Sequence, residues 1–95
     1  MSSITVTPME PGAFAVQIEE GHLSTGHRVL VPPDLLDELG LEELDPERVV
    51  TESMGFLLER EPVSAIAAEL SLEDLDQRFP EYREDLQQRL GTLLD

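Results

Sequence analysis

The chain has no cysteine, no lysine and no tryptophan. Without cysteine it can form no disulfide, no thiolate zinc site and no cysteine nucleophile. Small secreted domains usually depend on such cross-links. Their absence predicts a cytoplasmic protein, as does an N-terminus, Met1 to Val6, with neither the basic nor the apolar region of a secretory leader. No apolar run reaches the roughly 18 residues of a membrane span. Aromatics make up only 4% of the residues, so the core has to be built from Leu, Val, Ile and Ala, and little is left to line a sugar cleft.

With lysine missing, the only fixed cations are six arginines, set against 21 acids, for a formal net charge of −15. The imbalance is uneven along the chain. Residues 1–31 hold Glu10, Glu19 and Glu20 against Arg28, a net of −2; residues 32–95 hold the other eighteen acids against five arginines, a net of −13. Such a field repels nucleic-acid phosphates and anionic lipid and attracts basic partners. It also serves solubility or a salty cytoplasm. Direct nucleic-acid binding and membrane binding are therefore not expected.

At 95 residues there is room for one domain, 1–95, with 40% apolar and 28% charged residues in a normal globular mixture. Its first third reads as strands, over roughly 4–31. Ile4 to Thr7 alternates apolar and polar, and Pro8 breaks the run. Phe14, Val16 and Ile18 share one face, with Ala15, Gln17 and Glu19 on the other. After a turn at Glu20-Gly21, His27, Val29 and Val31 repeat the pattern. The expectation is an antiparallel meander of two to three strands whose buried face the rest of the chain must cover.

The remainder, roughly 33–94, reads as four to five short helices packed on one face of that sheet, an α+β fold. Pro33-Asp34 opens a helix that Gly40 closes. Asp45-Pro46 caps a second, reaching about Arg60, with Val50, Met54, Leu57 and Leu58 as its stripe. Pro62 opens a third in which Val63, Ile66, Ala67 and Leu70 share a face. Ser71, with Asp74 three residues on, caps a fourth. The last runs from Pro80 to about Leu94 and carries Tyr82, Leu86, Leu90 and Leu93 on one narrow seam.

The segments that could carry chemistry each lack something the chemistry needs. Gly21 to Gly26 has the spacing of a phosphate-binding loop, but His27 and Arg28 stand where Lys and Ser or Thr are required, and a strand follows instead of a helix. His22 and His27, five residues apart on a strand, face opposite ways, and no third ligand is placed for zinc. The acids show no calcium-loop spacing, and many fall at helix ends, where they complement the dipole. No G-x-S-x-G elbow marks a serine nucleophile. No catalytic, metal or cofactor residue is assigned.

Two segments are similar to DNA-binding families. Arg28 to Leu41 resembles the strand-proline-helix stretch of AbrB-type swapped-hairpin regulators and antitoxins, over about 14 residues. Ile66 to Arg78 resembles a helix-turn-helix, with Glu73, Asp74 and Asp76 on the would-be recognition helix. Carboxylates there would face phosphates, so neither resemblance is carried over to DNA binding.

The reading is a non-catalytic protein–protein interaction module, monomer or homodimer, whose partner is a protein. Its contact is expected at the seam Tyr82, Leu86, Leu90 and Leu93, because residues 46–94 offer more apolar stripes than one small sheet can use. The alternative is an electrostatic mimic or antitoxin-like inhibitor that occupies a basic nucleic-acid-binding protein. A third class, a small enzyme, would need residues converging from distant positions into a polar cleft.

Overall fold

The computed structural model describes residues 2–40 and 44–94, with side chains over 3–40 and 44–90. Its architecture is α+β: a mixed four-stranded sheet and four helices. Strands β1 (Ser2–Glu10), β2 (Ala13–Glu20) and β3 (Leu23–Leu30) form the antiparallel meander, and β4 (Glu69–Ser71) adds to β3 in parallel, in the order β1-β2-β3-β4.

Alternation decides which face is inside. Phe14, Val16, Ile18 and Val29 are buried, and Ile4 and Val6 of β1 pack against them while keeping part of their surface. β1 runs on through Pro8, where a break was expected, and takes a bulge between Pro8 and Glu10. An outer strand tolerates proline because one of its two edges has no ladder partner. The hairpin to β2 turns at Pro11-Gly12. Gly12 has φ +81°, and a Cβ there would sit 3.3 Å from the Val31 carbonyl oxygen. The Val31 N–H donates to the Gly12 carbonyl at 2.7 Å, tying the end of β3 back to this turn.

The helices α1 (Pro33–Leu39), α2 (Pro46–Leu58), α3 (Leu72–Arg78) and α4 (Tyr82–Leu94) begin and end close to where their punctuation places them. Gly40 ends α1. The Asp45 carboxylate accepts from the Glu47 N–H at 3.0 Å to cap α2. At α3 the Ser71 hydroxyl accepts from the Glu73 N–H, and Asp74 reaches back to the Ser71 N–H, a complete capping box. α2 is the most buried helix, contributing Val49, Val50, Ser53, Met54, Phe56 and Leu57 to the core, and it packs beneath β1 and against α4. Phe56 stands edge-on to both Phe79 and Tyr82, with centroids 5.5 and 5.2 Å apart. No helix among the described residues is long and apolar enough to cross a membrane.

One expected element takes a different form. The helix predicted from Pro62 through Leu70 is a single 3-10 turn, Val63–Ala65, followed by extended chain that becomes β4. Val63, Ile66 and Leu70 are buried, as the stripe requires, but spacings of three and four also suit a turn leading into a strand. The third strand would otherwise end the sheet with unpaired backbone groups. Instead the Arg28 N–H donates to the Ala68 carbonyl at 2.8 Å, and His27 Nδ1 donates to the Ala67 carbonyl at 2.7 Å. Long-range pairing outweighs local helix preference here.

Candidate interaction surface on the open face of the sheet

Because the helices all cover the face bearing Phe14, Val16, Ile18 and Val29, the opposite face is left open among the described residues. The strand register arranges that face in rows. Thr5, Gln17 and Gly26 stand side by side, and the next row is Thr7, Ala15, Arg28 and Glu69. Ala15 and Gly26 are small, so the middle of the sheet sinks into a shallow trough of about 440 Å³, with Met9 and Arg28 on its rim. Met9 is 57% exposed.

Polar contacts hold the trough in shape. Gln17 Nε2 donates to Ser24 Oγ at 3.1 Å. Arg28 closes one end, 2.7 Å from Glu10 and 3.9 Å from Glu69, so its charge is matched from both sides. Between that pair and Glu19 at the far end, Thr5, Thr7, Ala15, Gln17 and Gly26 carry no charge. On the inner side, His27 Nε2 lies 2.8 Å from Thr25 Oγ1 while Nδ1 is held by the Ala67 carbonyl. A carbonyl only accepts, so Nδ1 carries a proton, and His27 pins β3 to the approach of β4.

Two other hollows differ in character. Between α1, α3 and α4, a polar one of about 390 Å³ is ringed by Asp34, Glu38, Glu73, Asp76 and Arg83. Arg83 grips Asp76 with two hydrogen bonds, 2.7 and 2.8 Å, and touches Glu38 at 3.3 Å. The hydrogen bond from Arg83 holds the Asp76 carboxyl below its ordinary value, and the same bond raises the Arg83 pKa. The second, an apolar notch of about 230 Å³, lies among Pro11, Phe14, Val31, Leu36 and Pro46.

The seam expected to meet a partner serves this chain's own core. Tyr82, Leu86 and Leu90 are 0%, 0% and 1% exposed, so these three offer no free apolar surface; the side chain of Leu93 lies outside the described residues. Tyr82 is fixed further by a 2.7 Å hydrogen bond with Ser53 Oγ. The Ser53 hydroxyl proton goes to the Val49 carbonyl, also 2.7 Å away, so Tyr82 is the donor to Ser53. Burial pushes the Tyr82 phenol up to about 12, against a partial pull downward from the Ser53 hydroxyl and a small further push from Asp76.

Arg89 of α4 reaches Glu52 of α2, Glu59 just beyond that helix, and Asp85 on its own helix. Burial lowers its pKa, but the carboxylates outweigh burial and the net shift is upward. What the sequence did not reveal is the open trough, whose residues read as ordinary outward strand positions until the helices were seen to share the other side. Among the described residues no group of three or more His, Asp or Glu is placed to hold a metal ion. Comparison with protein-family models, with curated proteins and with solved structures found no match.

Proposed function

We propose that this chain is a small acidic cytoplasmic protein-interaction module, non-catalytic, that binds a protein partner across the open face of its sheet. The observation that carries this reading is the division of labour in the fold. The helices gather on one side, and on the other is left a trough whose floor, Thr5, Thr7, Ala15, Gln17 and Gly26, carries no charge, with an exposed methionine on its rim. Methionine is over-represented at contact surfaces because its unbranched, polarizable chain adapts to its partner. Three strands of eight or nine residues, about 4.8 Å apart, offer a patch of only about 400 Å². That is half of the roughly 800 Å² per partner in a standard interface, which suits a transient contact or one that also takes in the rim.

A second reading rests on the acidic hollow. Asp34, Glu38 and Glu73 surround the Arg83–Asp76 pair, in the half of the chain that carries the charge excess, and would suit a basic surface on a nucleic-acid-binding protein. One experiment separates the two. The wild-type chain, Thr7→Arg, and the triple variant Asp34→Asn, Glu38→Gln, Glu73→Gln are each used to capture partners from native lysate at low and high salt. A partner lost with Thr7→Arg and retained by the triple variant supports the open face. One lost with the triple variant and at high salt supports the electrostatic reading. A partner indifferent to both sets rejects both surfaces.

A further inference from the structure

The two edges of the sheet are not alike. β4 is three residues long and carries Glu69, whereas β1 is nine residues long and, among the described residues, has no strand partner along its outer edge. Open edges are ordinarily guarded by charge, proline or a bulge. In a chain of net charge −15, residues 2–9 hold no charged side chain. Pro8 and the adjoining bulge guard only the end of the strand, leaving Ser3 to Thr7 unprotected.

That segment is complementary to itself. An antiparallel copy placed about a twofold axis at Thr5 sets Thr5 against Thr5, Ile4 against Val6 and Ser3 against Thr7. Apolar residues then meet on the helix side and hydroxyls meet on the open side, the pairings that stabilise neighbouring strands. A one-residue slip would set Ile4 and Val6 of one copy on the open face of the other. Centring the axis on Val6 would bring Pro8 into the ladder opposite Ile4. Ile4 and Val6 are only partly buried in one chain, so a second copy completes their cover.

The helix side of the same edge fits this arrangement. A hollow of about 280 Å³ beside Val6 is lined by Asp45, Glu47, Arg48 and Thr51 at the start of α2. Among the described residues Arg48 enters no ion pair, unlike Arg28, Arg60, Arg78, Arg83 and Arg89. The twofold axis places the two hollows on the same side of the joined sheet, each with an arginine that enters no ion pair among the described residues. From the neutral edge, the self-complementary segment and this charge pattern, we infer that the chain forms a homodimer through β1, joining two sheets into one of eight strands. An isologous contact of this kind is closed and stops at two.

The inference goes beyond the docking reading and is tested by mass alone. Sedimentation equilibrium of the full chain, at salt high enough to screen the repulsion between two copies of charge −15, is expected to give twice the 10.6 kDa chain mass. Thr5 is exposed, so Thr5→Lys and Thr5→Glu leave the fold intact, which circular dichroism checks. Each variant alone sets like charges together on the axis and is expected to be monomeric; mixing the two is expected to restore a dimer containing one of each. A wild-type chain that stays monomeric at millimolar concentration overturns the inference. So does a dimer that persists in either variant alone, and so does a mixture that remains monomeric.

Discussion

Replacing Tyr82 with phenylalanine removes one hydroxyl from the centre of the core and leaves the ring against Phe56 in place. At neutral pH the loss is modest. Ser53 keeps its own hydrogen bond to the Val49 carbonyl and loses only the donor above it, a change worth about 1 kcal/mol. At high pH the effect reverses. The phenol sits at about 12 in the folded chain against an ordinary 10.0, so the unfolded chain loses its proton first as the pH rises. The stabilisation is therefore complete below pH 10 and drains away up to about pH 12. At ~1.4 kcal/mol per unit, the total loss is about 3 kcal/mol. The phenylalanine variant has nothing to ionise and keeps its stability.

The two curves should then cross. The variant is the weaker protein at neutral pH, equals the wild type between about pH 10.5 and 11, and is the stronger above. The chain is well suited to the measurement: it has one tyrosine, no lysine and no cysteine, so no other side chain titrates in that window. Denaturant midpoints of both proteins across the alkaline range, with tyrosinate absorbance of the wild type followed in parallel, give the answer. Parallel stability curves, or a phenol that titrates at its ordinary value in the folded chain, would refute the reasoning.

Two further substitutions test the frame. Gly12→Ala forces a left-handed residue and sets its methyl 3.3 Å from the Val31 carbonyl; a loss of about 1–2 kcal/mol is expected in denaturant melts. Gly21→Ala, also at positive φ but with open space around it, should cost less, and equal losses would show that the Val31 contact is immaterial. Asp76, held below its ordinary pKa by Arg83, stabilises the fold above the usual carboxylate range and ceases to do so as the pH falls through its depressed value. Asp76→Asn is therefore expected to melt lower at neutral pH and to lose less on acidification, as read by thermal melts across the acid range; an unchanged acid limb would contradict the pairing.

What could be read from residues alone was local chemistry. The Asp45 cap, the Ser71–Asp74 box and the Gly40 stop each depend on atoms within a few residues, and each stands where its spacing puts it. The alternation of Phe14, Val16 and Ile18 likewise fixed the inner face. β4 was beyond reach because its partner lies forty residues away, as the bond from Arg28 to Ala68 shows. The stripe of Val63, Ile66 and Leu70 is satisfied equally by a helix or by a turn and a strand. The seam of Tyr82, Leu86 and Leu90 was legible as apolar, but whether it met α2 or a partner depended on where α2 lay. The open trough was invisible for the same reason. Thr5, Thr7, Ala15 and Gln17 become a surface only through what covers their neighbours.

The most direct test of binding across the open face is a chemical-shift map. The isotope-labelled chain is titrated with the captured partner, and the perturbed amides are located on the fold. The account predicts that Thr5, Thr7, Met9, Gln17, Gly26 and Arg28 shift together while Asp34, Glu38 and Glu73 stay still. Shifts confined to the acidic hollow, with the sheet residues unmoved, would contradict it.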